Sequence, residues 1–341
     1  MKCVKIVGQK KLESGEMPYP EKNDKRVIID VYKAGICGSD IHNWDSGEPV
    51  GLVMGHEFAG VVVDPGSRMD LHVGDHVTAL PISPCRKCFA CKSGNPQYCL
   101  HTWEDALGLA LTNPGAYSER ISVDESLVLK MPENVSFEEG AMVEPTAVGL
   151  HAIHLADIKV GDKVLVIGGG IIGLVSAMFA KMEGASYVVV SETNKERGKK
   201  AVDLRVADEY LDATDDFVNK CFAKTGDGFD VVIDCCGNAP AVTSAIMVSR
   251  AGGTIILVGV STSPITIPTV VSVLHEQTIK GAIAYTEEEF KQVLNLIANK
   301  RIDVTKFVDK VVSLNDVQAA FEELTSGVSP SVKILIDPKK D

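Results

Sequence analysis

The chain predicts an α/β protein in two parts: a β-rich first half, then a doubly wound parallel sheet covered by helices on both faces. Three observations lead there. The 341 residues exceed what one core of ordinary size accommodates. The first half carries short β-branched runs punctuated by Gly, Pro and Asp. The middle carries short, mainly apolar runs separated by segments of helical length, the pattern of strands buried on both faces.

In chain order, Val27 to Val31, Gly60 to Val63, His76 to Leu80 and Tyr117 to Val123 read as strands of a barrel-like or irregular β fold. Val164 to Ile167, Tyr187 to Val190, Val231 to Ile233 and Thr254 to Val258 read as the parallel strands. A helix is expected from Thr286 to Asn299, with Phe290, Val293, Leu294 and Ile297 on one stripe, and a last strand from Val332 to Ile336. A boundary near Gly149 divides the chain into 1–148, 149–285 and 286–341, the last segment packing most simply back on the first domain. Neither repeats nor low-complexity segments interrupt this order.

A net charge of -12 leaves no general electrostatic footprint for nucleic acid or an anionic membrane, so neither is expected as a partner. Val164 to Ala180 carries no charge and reaches the lower limit for a membrane span, but Gly168 to Gly170 break it, and a buried strand, tight turn and helix explain it better. No apolar secretory run follows Met1, which places the expected location in the cytoplasm. Of nine cysteines, four fall between Cys85 and Cys99, a clustering that argues for metal rather than a disulfide framework.

Strand Val164 to Ile167 runs into Gly168-Gly169-Gly170-Ile171-Ile172-Gly173 and then a helix. Gly168, Gly170 and Gly173 have the G-x-G-x-x-G spacing that permits a tight turn, close approach to a pyrophosphate and close helix–strand packing; Ile172 belongs to the same cofactor-binding set. Glu192 closes the next strand 19 residues after Gly173, where a carboxylate binds the adenosine ribose hydroxyls and repels a 2′-phosphate. Lys195 and Arg197 could pair with a 2′-phosphate, but both fall on the exposed start of the next helix, with Arg197 against adenine or ribose. NAD is therefore expected over NADP.

Cys85, Cys88, Cys91 and Cys99 give C-x2-C-x2-C-x7-C in a lobe, 84–100, with almost no core of its own. Four thiolates suit a structural tetrahedral zinc that folds such a lobe, with an iron–sulfur cluster the rival. Elsewhere, Cys37, His56 and Glu144 offer one thiolate, one imidazole and one carboxylate, a three-ligand set with a fourth position open. Singly they read as a buried thiol, a satisfied loop histidine and a helix N-terminal acid, and spacing alone does not unite them.

With Cys37-Gly38-Ser39-Asp40, Gly55-His56-Glu57, the four-cysteine lobe, Val143-Glu144-Pro145 and the glycine turn in that order, the chain resembles the zinc-containing medium-chain dehydrogenases over its whole length. Within them it is most similar to the polyol, butanediol and threonine dehydrogenase branch, on Glu144 in place of a second catalytic cysteine and on the stretch Glu276 to Tyr285. The resemblance implies a GroES-like catalytic domain, a Rossmann domain and a C-terminal return to the first. It implies two zincs per subunit, the catalytic one held by Cys37 and His56 with Glu144 or Glu57 completing the set. Asp40 would orient His56, Ser39 would touch the substrate oxygen, and His42 would end the proton relay. Val258, Gly259 and Val260 would contact nicotinamide, and Lys333 would meet the pyrophosphate.

The implied reaction is hydride transfer from a secondary alcohol or polyol to NAD. The metal brings the hydroxyl pKa from roughly 16 towards ~7, and the proton leaves through Ser39 and His42. The Cys37 and His56 motifs read as loops of the β-rich domain, and Trp44 and Glu48, in the short loop after the relay, would face a small polar alcohol or belong to a solvated loop. The rivals are a zinc-free NADPH-dependent reductase on the same fold and a non-catalytic nucleotide-binding protein with structural zinc. A homodimer or homotetramer is expected because the run Thr278 to Ala284 would be an open sheet edge.

Overall fold

The computed structural model describes residues 1–214 and 216–340; Asp341, the end of the expected C-terminal return, lies outside the described residues. Contacts divide the chain into two compact units, Met1–Pro145 with Thr286–Asp341, and Thr146–Tyr285.

The second unit is a six-stranded, all-parallel sheet. Its order is Glu209–Asp212, Tyr187–Glu192, Lys163–Ile167, Phe229–Asp234, Ser249–Leu257 and Thr278–Gly281. Val164, Leu165, Val166, Val188, Val189 and Val190 are fully buried, which is why these strands read as unbroken apolar runs. The strand order reverses between Lys163–Ile167 and Phe229–Asp234, so the loops after those two strands flank the topological switch point. Leu165, Val189, Phe229, Val232 and Ile255 form one core with Val242, Ala245 and Ile246 of helix Ala239–Val248. The expected run Thr278 to Ala284 is a strand only over Thr278–Gly281, and it pairs on one side only.

The first unit is built on a seven-stranded sheet centred on the long strand Arg26–Gly35. That strand pairs antiparallel with Glu57–Asp64, with Arg120–Asp124 and, at its last two residues, with Ile334–Asp337. The expected strand Tyr117 to Val123 starts three residues later, because the backbone before it pairs elsewhere: the Tyr117 N–H donates to Met54, its carbonyl accepts from Val4, and Ser118 bridges Cys3. Helix Glu287–Ala298 is capped by Thr286, which exchanges hydrogen bonds with Glu289, and it buries Phe290, Val293, Leu294 and Ile297 as its 3.6-residue stripe requires. The hairpin of Lys2–Gly8 and Lys11–Glu16, absent from the sequence reading, is largely exposed on its second strand and so lacks an apolar run. Among the described residues no helix is long and apolar enough to cross a membrane.

Candidate active site

The loop residues expected around Cys37 are instead the start of a helix, Gly38–Ser46, because Cys37 occupies its N-cap and Asp40 closes a capping box. Asp40 is fully buried, and its Oδ2 accepts the Cys37 backbone N–H at 3.0 Å. The same Oδ2 accepts the hydroxyl of Tyr117 at 2.7 Å. Oδ1 lies 3.5 Å from Nδ1 of His56, the outer limit for a direct hydrogen bond. The other ring nitrogen of His56, Nε2, lies 3.4 Å from Ser39 Oγ, which is 3.3 Å from Cys37 Sγ.

His56 follows Gly55, whose φ of 99° lies in the left-handed region; a Cβ there would also strike the ring of Tyr117. Glu57, next in sequence, opens strand Glu57–Asp64 and is fully buried. One ligand atom each from Cys37, His56 and Glu57 fall within 4.8 Å of one another. Glu144 stands outside this trio, buried in the first turn of helix Val143–Ala156.

Among the described residues, Asp40 Oδ1, His56 Nδ1 and Glu57 Oε1 are buried without a hydrogen-bond partner. Asp40 Oδ1 and His56 Nδ1 face each other, whereas the orphaned Glu57 Oε1 beside a thiol and an imidazole fits a cation, and the S, N, O donor set fits zinc. Burial disfavours an imidazolium, but the charges of Asp40 and Cys37 outweigh it and hold the His56 pKa well above its ordinary value. A metal there displaces a proton. Burial and the charge of Asp40 push the Tyr117 hydroxyl well above its ordinary range, so it remains a donor.

Two expectations are corrected here. Lys333 is not a solvent-facing pyrophosphate ligand: its ammonium is fully buried, paired with Glu57 Oε2 and donating to the Ile36 carbonyl at 2.9 Å. Trp44 is neither in a loop nor solvated. It is buried on helix Gly38–Ser46 with its ring centroid 5.7 Å from that of Phe321. Glu48 is exposed, after the helix has ended at Gly47. His42 is exposed, three residues beyond Ser39 on the same helix, a spacing that puts both on one face.

The four lobe cysteines also converge. Cys88 Sγ lies 3.6 Å and Cys85 Sγ 4.0 Å from Cys91 Sγ, while a tetrahedron with Zn–S bonds of about 2.3 Å has sulfurs about 3.8 Å apart. The backbone N–H of Cys88 donates to Cys85 Sγ and that of Cys85 to Cys99 Sγ, each at 3.4 Å. Backbone donors, Lys87 and Cys88 on Cys85 and Cys85 on Cys99, pull the Cys85 thiol below its ordinary range and bring Cys99 down to about 6. Cys91, by contrast, is pushed up to about 12 by burial and its thiol neighbours. Four thiolates this close would repel one another, and a cation at their centre would relieve that. Arg86, in the left-handed region at φ 59°, ties the lobe to Glu287 on the C-terminal helix and to Ser126.

In the second unit, Gly173 is obligatory: a Cβ there would collide with the Gly168 carbonyl oxygen. Gly170 caps helix Ile171–Met182 with no side chain, and the space where its Cβ would stand is open. A bare helix N-terminus with room in front fits a pyrophosphate. Glu192 ends strand Tyr187–Glu192; its Oε2 accepts the Gly169 N–H at 2.9 Å and its Oε1 the N–H groups of Thr193 and Asn194. The carboxylate is thereby fixed beside the glycine turn. Ile172 is on the helix's first turn, and Arg197 on the first turn of helix Lys195–Asp203, capped by Asn194.

The segment Val258, Gly259 and Val260 leaves strand Ser249–Leu257, and Asp234 anchors it. The Asp234 carbonyl accepts the N–H groups of Val258 and Gly259, while its fully buried carboxylate accepts those of Cys236 and Gly237. Asp234, Tyr117 and the Lys333–Glu57 pair are the functional neighbours that sequence reasoning missed. Two carried a signal: an acid closing the apolar run Val231 to Ile233, and a lysine inside the apolar run Val332 to Ile336, where charge without a partner is costly.

The alcohol dehydrogenase GroES-like domain profile matches residues 23–133, and the zinc-binding dehydrogenase profile matches residues 172–299. A probable D-xylulose reductase A from Aspergillus clavatus is 33% identical, covering 96% of this chain and 93% of its own. The crystal structure of 2R,3R-butanediol dehydrogenase from Bacillus subtilis is 32% identical with a TM-score of 0.88, covering 99% of both chains. At 26% identity, and 99% of both chains, stand a putative zinc-binding dehydrogenase from Sinorhizobium meliloti bound to NADP and an alcohol dehydrogenase from Escherichia coli with NADH, at TM-scores of 0.88 and 0.90.

Proposed function

Because the chain belongs to the zinc-binding alcohol dehydrogenases with a GroES-like domain, oxidoreductases of alcohols and polyols that use a nicotinamide cofactor, we propose a division of labour among its residues for hydride transfer between a secondary alcohol or polyol and NAD. The observation that carries it is the convergence of Cys37, His56 and Glu57 donors within 4.8 Å, with the Ser39 hydroxyl against two of them. Cys37 and His56 hold a catalytic zinc, with Glu144 or Glu57 completing the set. Cys85, Cys88, Cys91 and Cys99 hold a structural one. Zinc, when bound, supplies Lewis acidity that brings a hydroxyl pKa towards ~7. Ser39 Oγ takes the hydroxyl proton and passes it towards exposed His42 on the same helix face. Asp40 keeps the His56 proton on Nδ1, so that Nε2 faces the metal. An oxygen donor beside a single thiolate is harder and more easily displaced than a second sulfur, which suits a vicinal diol.

Glu192 binds the adenosine ribose hydroxyls and Gly168, Gly170, Ile172 and Gly173 the pyrophosphate, with Arg197 near the adenosine and Val258, Gly259 and Val260 at the nicotinamide. A 2′-phosphate would meet a carboxylate already fixed by three backbone donors. NAD is therefore preferred over NADP. The test is a polyol, diol and hydroxy-acid panel with both cofactors, alongside elemental analysis. Two zincs per chain and alcohol-dependent NADH formation are expected. Glu192→Ala should weaken NAD use; equal or better efficiency with NADP in the wild type would defeat the cofactor assignment.

The protein is a cytoplasmic homodimer or homotetramer in this reading. Strand Thr278–Gly281 exposes its outer edge, and Val270, Val273, Leu274, Ile279 and Ile283 in the same unit are exposed. An open, apolar sheet edge invites pairing with a second copy. Light scattering should give a multiple of 36.5 kDa at micromolar concentration; a particle of one chain's mass would sink the idea.

A further inference from the structure

We infer that Tyr117 is a positioning residue for the metal-binding imidazole, acting through Asp40. The inference rests on the reading that Cys37 and His56 hold a metal. Asp40 is a carboxylate with no exposure to water, so its orientation depends wholly on protein donors. The terminal torsion of an aspartate is broad and roughly two-fold, and a single capping bond from the Cys37 N–H does not fix it. The Tyr117 hydroxyl supplies a second donor to the same oxygen, at 2.7 Å against 3.0 Å for the backbone N–H. With Oδ2 held twice, Oδ1 is left facing His56 Nδ1. An acceptor there selects the tautomer whose Nε2 is free for a metal.

The ring of Tyr117 acts on the same imidazole from the other side. It fills the space beside Gly55, the residue whose left-handed conformation brings the chain into His56. One side chain thus sets both the backbone before the imidazole and the carboxylate behind it. The hydroxyl alternative, the Gly35 carbonyl, is more distant at 3.3 Å. Phenylalanine at 117 keeps the ring, including its edge contact with Phe321 at 6.2 Å between centroids, and removes only the donor to Asp40.

The experiment compares wild type, Tyr117→Phe, Asp40→Asn and the double variant as full-length holoprotein. Zinc affinity at each of the two sites is read by chelator competition, and the catalytic site's geometry by visible absorption after cobalt exchange. Tyr117→Phe should weaken metal binding at the catalytic site about ten- to a hundredfold, as loss of an outer hydrogen-bond partner does elsewhere, and leave the four-cysteine site unchanged. Its cobalt bands should shift. In the Asp40→Asn background the Tyr117→Phe change should add almost nothing, because both act through one carboxylate. A Tyr117→Phe protein with wild-type affinity and wild-type cobalt bands would overturn the inference, as would losses that add fully in the double variant. A wild type that binds only one metal would overturn the catalytic-zinc reading and this inference together.

Discussion

Glu144→Ala removes one of the two zincs and lowers turnover by more than the 10–100-fold typical of outer hydrogen-bond partners, while Glu57→Gln keeps both metals: that is the expected result. The reasoning starts from the buried ammonium of Lys333, which already engages Glu57. A carboxylate already engaged with an ammonium has part of its donor capacity committed. Cys37, His56 and Glu57 are gathered, but Glu57 is shared with Lys333, and the proposed reading gives the remaining place to Glu144, buried on the first turn of its helix. Glutamine is the right control at 57, because its amide oxygen can still accept from Lys333, whereas alanine would strand a buried charge. Zinc content and turnover are measured on both variants. If Glu144→Ala retains two zincs and near-normal turnover while Glu57→Gln loses one zinc and activity, Glu57 is the ligand and the assignment is wrong.

The second large effect is on stability. Lys333→Met should cost about 3–5 kcal/mol, because it leaves the Glu57 carboxylate buried with its cation gone. Lys333→Met combined with Glu57→Gln should recover much of that loss, since removing both charges also removes their desolvation penalty. Denaturant unfolding of the three proteins decides it. A Lys333→Met protein as stable as wild type would refute the claim that the Lys333 ammonium stabilises the Glu57 carboxylate in the core.

What could be read from sequence was whatever depends on neighbours in the chain. The strands around Val164 and Val188 are buried on both faces, so their composition alone marks them. The helix from Glu287 carries its own cap and stripe within 14 residues of chain, Thr286 to Asn299. The lobe cysteines lie close enough in sequence for spacing to suggest a common ion. What could not be read depends on distant partners. Tyr117 is 77 residues from Asp40, and Lys333 is 276 residues from Glu57. Neither pairing leaves a local pattern, and the resemblance that assigned Lys333 to a pyrophosphate said nothing of its burial. Trp44 is a related case: the segment after Cys37 reads as a loop, because its capping box, formed by Cys37 and Asp40, is not one of the residue pairs that usually announce a helix.

The discontinuity of the first unit bears on how the protein is made. Its central strand, Arg26–Gly35, is completed along one end by Ile334–Asp337, so the sheet cannot close until residues 334–337 have been synthesised. Residues 146–285 are contiguous and can fold as they leave the ribosome, but the earlier half must wait through about 200 further residues, roughly ten to forty seconds at bacterial to eukaryotic elongation rates. Throughout that interval Glu57 lacks its cation and Cys37 lacks the wall that Ile334–Asp337 builds beside Ile36. On the proposed ligand assignment, the nascent chain exposes the Cys37 thiol to any metal present before the rest of the site is assembled. Loading with the right ion is, for this topology, a matter of timing as much as of affinity.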